Sequence, residues 1–245
     1  MNLLKSTLAL AASCSSLATL ANAALAITDD DITNNAYTFS ISFDDLINNA
    51  KFSNALYSSS NIFGANTEGT GDSERRYVTP NQGQTSASFV IAFDFSQAGY
   101  EITGFSIKDS LYINNTTSSA SIAGESGWTT DLADPGTRIR VINSTGTPQS
   151  SSSSKDYSLT QASSIVYYTV AFTATNTTFA AKNVQWSRSA PGGIPFEITF
   201  ALAPAQVPEP ATTAILAGVS VLLLVFGIRW LKQTVNQINS GRPIP

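Results

Sequence analysis

Apolar and polar residues alternate with a period of two along several stretches of this chain. Tyr37, Phe39, Ile41 and Phe43 take turns with Thr38, Ser40 and Ser42, as in a strand with one face in a core and the other in water. The pattern recurs in Phe89, Ile91, Phe93 and Phe95, in Val166, Tyr168, Val170 and Phe172, and in Ile194, Phe196, Ile198, Phe200 and Leu202. Phe105 to Ile113 and Arg138 to Ile142 read as two more strands, with Gly104 placed for a bulge. Turn-forming clusters separate them: Gly64 to Gly71, Pro80-Asn81-Gln82-Gly83, Asp134-Pro135-Gly136 and Pro191-Gly192-Gly193. One helix is expected, from Asp44 to Tyr57, with Asp44 as its cap and Leu46, Ile47 and Ala50 on one face. The serine tract from Gln149 to Lys155 has no apolar alternation and reads as a surface loop. Many short strands with Gly/Pro turns predict an all-β fold, an antiparallel β-sandwich of jelly-roll type.

Two apolar segments break this alternation, one at each end. Lys5 supplies a basic start, Leu8 to Leu20 an apolar run, and Ala21-Asn22-Ala23 a small-residue cleavage site, with Ala24-Leu25-Ala26 as the alternative. That order predicts a signal peptide over residues 1–23, cut between Ala23 and Ala24 by signal peptidase after delivery to the Sec translocon. Cys14, the single cysteine, then leaves with the signal; Leu10-Ala11-Ala12-Ser13 before it makes a poor lipobox. Near the other end, residues 211–228 form an uncharged run of 18 residues. As a helix it would reach about 27 Å, just enough for a bilayer core. Arg229, Trp230 and Lys232 follow, so the positive-inside rule leaves residues 233–245 as a cytoplasmic tail and the region before the span outside. The competing reading, a buried soluble helix, would call for a polar face, and this run has none.

Directly before the span stand Pro208, Glu209 and Pro210, and the run opens on Ala211-Thr212-Thr213 and contains the pair Ala217-Gly218. With the apolar span and its basic flank at Arg229 and Lys232, residues 207–232 resemble the PEP-CTERM sorting signal of exported proteins of Gram-negative bacteria. The resemblance implies that the chain is a substrate of exosortase, a membrane-embedded protease of the transpeptidase kind, which removes the anchor helix. It also implies a cell-surface or matrix role beside exopolysaccharide and biofilm. The family's basic cluster is a compact arginine run, whereas Arg229 and Lys232 are separated here. The alternative is a proline-rich stalk on a permanent membrane anchor.

Residues 24–206 are left as one exported domain, with 16 acidic and 9 basic residues and a net charge of −7. An acidic surface poor in clustered cations argues against nucleic-acid binding. The chain contains no histidine, which removes Ser-His-Asp and Cys-His catalysis and imidazole metal ligands. A glycosidase would need two facing carboxylates; Glu101, Glu125 and Glu197 are the candidates, and no spacing pairs them. Ser152-x-x-Lys155 arises from the serine tract and is discounted as a catalytic dyad, so the expectation is a non-catalytic protein. No cofactor is expected beyond a structural calcium ion, for which Asp131 and Asp134 are the candidate ligands, with Asp29-Asp30-Asp31 a second acidic group. For polysaccharide binding, Trp128 after Gly127 is the candidate stacking platform on a loop, Trp186 is assigned to the core, and Tyr167 is placed on an outward face. Asn114, Asn115, Asn143 and Asn176 begin Asn-x-Ser/Thr triplets, read in this context as an Asn/Thr-rich surface.

Overall fold

The computed structural model describes residues 24–48, 50–60, 63–116, 118–180 and 183–205. The signal segment with Cys14, the sorting motif, the span at 211–228 and the tail lie outside the described residues. Among the described residues, no helix is long and apolar enough to cross a membrane. The compact unit that holds the strands ends at Ala205.

Thirteen strands among the described residues form two sheets: β1 Leu25–Ala26, β2 Ala36–Ile41, β3 Leu56–Ser60, β4 Phe63–Glu68, β5 Arg75–Pro80, β6 Ser86–Asp94, β7 Tyr100–Ile113, β8 Ser121–Thr129, β9 Thr137–Ser144, β10 Gln149–Ser163, β11 Ile165–Thr175, β12 Val184–Ser189 and β13 Phe196–Pro204. The first sheet runs β1-β6-β11-β8-β9, with β3 also on β6. The second runs β2-β13-β7-β12-β5-β4, with β10 also on β7. Every pairing is antiparallel except that of β1 with β6. The protein is thus an all-β sandwich.

The alternating residues meet between the sheets. Phe89, Ile91 and Phe93 of β6 and Val166, Tyr168, Val170 and Phe172 of β11 face Ile198 and Phe200 of β13 and Ile107 of β7, all of them buried. Rings dominate this core. Trp186 lies 5.0 Å from Phe89, 5.1 Å from Phe196 and 5.3 Å from Phe52, in edge-on or tilted contacts that favour the ring quadrupoles. Phe200 gathers Phe93, Phe95 and Phe105 in the same way at 4.9, 5.1 and 5.7 Å. Trp186 is a core residue, as its alternation with Val184 predicts.

Strand β7 organises the second sheet. β13 pairs with its residues Tyr100 to Lys108 and β12 with Leu111 to Ile113, while β10 covers Ile102 to Ile113. Two strands therefore share β7 end to end. The register against both β10 and β13 slips beside Gly104, where a Cβ would come within 2.6 Å of the Tyr157 carbonyl, so the glycine allows a close backbone approach at the expected bulge.

Several local expectations are corrected. The serine tract is no loop but most of β10, paired residue by residue with β7 from Gln149↔Ile113 to Lys155↔Ile107. The single helix becomes two short ones, α1 Asp45–Asn48 and α2 Ala50–Ala55, and Tyr57 belongs to β3. Ser42 caps α1, not Asp44: its hydroxyl accepts from Asp45 N at 3.2 Å while the Asp45 carboxylate accepts from Ser42 N at 2.7 Å. Glycine at 64 does not open a turn either, because β4 runs through it to Glu68. Asn115 is not on the surface: it is buried, and its amide donates to the carbonyls of Ala120 and Ser144.

Candidate functional site

Trp128 stands on β8, not on a loop. Its in-facing neighbours at two-residue spacing are Ile122, Gly124 and Ser126, and its indole is half-buried at 5.1 Å from Phe105 and 5.6 Å from Tyr157. Its Nε1 is closed off from solvent without a hydrogen-bond partner. The expected exposed platform is therefore a wedge at the rim of the core. Gly127, the reason for expecting a loop, instead sits at the Ser126/Gly127 register slip against β9, the mark of a bulge.

The three candidate carboxylates are not brought together. Glu125 lies in the first sheet, beside Arg138 at 3.4 Å, and burial pushes its carboxyl above the usual range while the arginine pulls it back. Glu101 and Glu197 are both in the second sheet, but they sit opposite Ala203 and Lys108. Those positions lie six residues apart along β13, about 20 Å of strand. Asp131 spends its carboxylate on Ala133 N at 2.8 Å and its carbonyl on Asp134 N at 3.0 Å, the bonds of an Asx turn. Asp31 closes a single turn of 3-10 helix by accepting from Thr28 N at 2.9 Å and Thr28 Oγ1 at 2.7 Å, bonds that hold its carboxyl below the usual range. No group of three or more His, Cys, Asp or Glu side chains gathers among the described residues.

The interior instead holds a polar network that alternation does not reveal. Asp109 of β7 points inward and is buried. One of its carboxylate oxygens accepts from Arg140 Nε; the other accepts from Ser126 Oγ at 2.6 Å and Tyr168 Oη at 2.9 Å. The Tyr168 hydroxyl in turn accepts from Trp186 Nε1 at 2.8 Å. Burial, with the Asp109 charge adding to it, raises the Tyr168 phenol well above its ordinary range. Arg140 continues across the sandwich edge to the hydroxyls of Ser151 at 3.3 Å and Ser153 at 3.2 Å and to the Ser153 carbonyl. Close by, Lys155 Nζ donates to the Ile139 carbonyl at 2.6 Å. Each member of the network has at least one partner, which suits a rigid internal clamp.

The outer face of the first sheet offers a different arrangement. Tyr57 is the extra residue of a bulge in β3, since Leu56 and Ser58 pair with adjacent residues of β6. The bulge brings its ring 5.6 Å from that of Tyr167, which does face outward as expected. Both rings are half-buried, and Asp94 and Asp131 lie near enough to add to the burial that raises the Tyr167 phenol. Further along the face, a cavity of about 150 Å³ opens among Ala123, Glu125, Arg138 and Ala171. On the second sheet, a groove of about 370 Å³ lies between β7, β10 and the Ala190–Pro195 connection.

No protein-family model matches the chain, and no curated protein matches it. Among solved structures, it is similar to an isomalto-dextranase of Arthrobacter globiformis T6 complexed with panose, at 9% identity and a TM-score of 0.27 over 68% of this chain and 23% of that one. It is also similar to carbohydrate-binding modules described as belonging to the β-sandwich superfamily, at 7% identity and a TM-score of 0.21 over 71% of this chain and 58% of that one. The chain spans less than two thirds of either protein. Likeness this slight assigns no function.

Proposed function

We propose that the protein is a non-catalytic exported β-sandwich of the cell surface or matrix, delivered by the Sec translocon and sorted through Pro208, Glu209 and Pro210. Exosortase cuts at that motif and removes the helix at 211–228 that holds the domain to the membrane. The observation that supports this reading is where the sandwich starts and stops. β1 begins at Leu25, just past the expected cut between Ala23 and Ala24, and the last paired residue of β13 is Pro204, just short of the motif. In the sequence the two addresses thus flank the described strands. Mass spectrometry of the exported protein from an exosortase-bearing host tests it: the mature form should lack the residues beyond about Pro210, and Glu209→Ala should leave the tail in place. An intact C-terminal helix in the wild-type surface form would establish the permanent anchor instead.

A second reading, a carbohydrate-binding module on a plain membrane anchor, draws on the outer face of the first sheet. Tyr57 and Tyr167 present aromatic surface for the C–H face of a sugar, with Asp94 and Asp131 near enough to act on the Tyr167 phenol. On a neutral-glycan array, Tyr167→Ala should abolish binding while Trp128→Ala leaves the ligand profile unchanged; absence of any bound neutral glycan would remove this reading.

A further inference from the structure

The groove on the outer face of the second sheet lies apart from the tyrosine pair, and its chemistry is of another kind. It forms where the chain leaves β12 and passes over the stretch of β7 that neither β12 nor β13 pairs with, Asp109 and Ser110. At about 370 Å³ it is large enough for a small molecule. Lys108 and Arg188 both line it, and serine hydroxyls complete the polar wall: Ser110 of β7, with Ser152 and Ser154 of β10 in register with Ser110 and Lys108. Ile194, exposed at the rim, and Pro195 provide the apolar side.

Two donors in this wall have nothing to bond. Arg188 Nε and Ser110 Oγ are both shut away from solvent, and neither has a hydrogen-bond partner. A guanidinium N–H left in that state is costly unless an acceptor arrives. The Arg188 plane is held in place by the Tyr112 ring beneath it, 4.9 Å from the centroid, so the fork is oriented before any ligand enters. The acids near the two cations turn away from the groove or stand outside its lining. Asp109 contributes to the groove, but its carboxylate is turned into the core and bonded to Arg140. Glu68 pairs with Arg188 Nη2 at 3.9 Å, Glu197 stands across from Lys108 on β13, and Asp156 follows Ser154 by two residues on β10; none of the three lines the groove.

We propose that this groove binds a carboxylated sugar, a hexuronate unit of an acidic polysaccharide, with its carboxylate between Arg188 and Lys108, its hydroxyls on Ser110, Ser152 and Ser154, and its C–H face on Ile194 and Pro195. A simple anion would use the two cations and leave the hydroxyl row and the apolar wall empty. A neutral sugar would bring no charge to the two cations. The domain's net charge of −7 does not forbid an acidic ligand, because fields are screened beyond about 8 Å at physiological salt and the groove's own cations act at contact. The inference holds whether or not the C-terminal segment is processed.

Calorimetric titration of the purified full-length protein in detergent micelles tests it, using a tetragalacturonate, a neutral galactose tetrasaccharide of the same length, and acetate and inorganic phosphate as simple anions. The tetragalacturonate should bind, the neutral tetrasaccharide should not bind at this site, and Arg188→Gln and Lys108→Gln should each weaken binding at least tenfold. Lys108 is exposed and makes no ion pair among the described residues, so its variant reports on binding with little risk to the fold. Arg138→Gln on the other sheet should change nothing. The proposal is overturned if the uronate fails to bind, if it binds no tighter than the neutral sugar, if Lys108→Gln binds as the wild type does, or if acetate or phosphate displaces it at equal concentration.

Discussion

Arg140 donates through Nε to Asp109 across the two sheets, from the edge strand β9 of one to the organising strand β7 of the other, and both side chains are almost wholly buried. Removing either partner leaves a charge stranded in the core. We expect Asp109→Ala and Arg140→Ala each to destabilise the fold by about 3 to 5 kcal/mol in chemical denaturation. The double replacement Asp109→Leu with Arg140→Met should recover much of that loss, since it removes the pair and the desolvation together. A double variant as unstable as the sum of the singles would show that the pair is not the unit of stabilisation.

Gly136 closes the Asp-Pro-Gly turn between β8 and β9 with φ at +69°, and a Cβ there would lie 2.4 Å from the Trp128 carbonyl. Strain and clash act together, so Gly136→Ala should cost more than about 1 kcal/mol. Gly83, also at positive φ but with open space around it, is the comparison: Gly83→Ala should cost only the backbone term. Thermal melts of the two variants side by side check this.

Processing should spare β1. Leu25 and Ala26 lie parallel to Phe93 and Asp94, and Ile27, buried beneath them, donates its amide to the Asp94 carbonyl at 3.3 Å. A cut after Ala26 would strip this end of β6 of its partner and expose an unpaired sheet edge. N-terminal sequencing of the exported protein should therefore begin at Ala24, and a start at Ile27 would contradict the role given to β1.

Alkali should loosen the sandwich. Burial pushes the Tyr77 phenol from its ordinary 10.0 up to about 12, with Glu68 adding to the rise and Arg188 opposing it, and Tyr168 is raised as well. The unfolded chain releases these protons first. The stabilisation is therefore whole below about pH 10 and is lost as pH climbs through 12. Denaturation midpoints should fall over that window in the wild type and fall less steeply in Tyr77→Phe.

How much of this could be read from the chain depends on which side chains a strand turns inward. β2, β6, β11 and β13 carry Phe, Ile, Val and Tyr at every second position, so their strand character, their buried faces and the core position of Trp186 followed from alternation. β8 and β10 carry the wrong letters. In β8 the inward positions include Gly124, where a Cβ would meet the Phe172 ring at 2.7 Å, and Ser126, whose hydroxyl is bound to Asp109. In β10 serines take the inward places because Arg140 needs oxygen partners there. Small and polar inward residues erase the apolar period, and Trp128 was misplaced onto a loop for the same reason.

Local chemistry in the sequence by itself determined the sandwich class, the inward face of its four most regular strands, the turn at Gly136 and the acidic balance of the exported region, because each depends on side chains spaced within a few residues. Only the tertiary structure decided the partnerships. Asp109, Ser126, Arg140, Ser153 and Tyr168 lie on five different strands, and Lys108 meets Arg188 across one groove only because β12 and β13 share β7 and part company between them. Contacts of that kind join residues far apart in the chain, and no local period records which of them will meet.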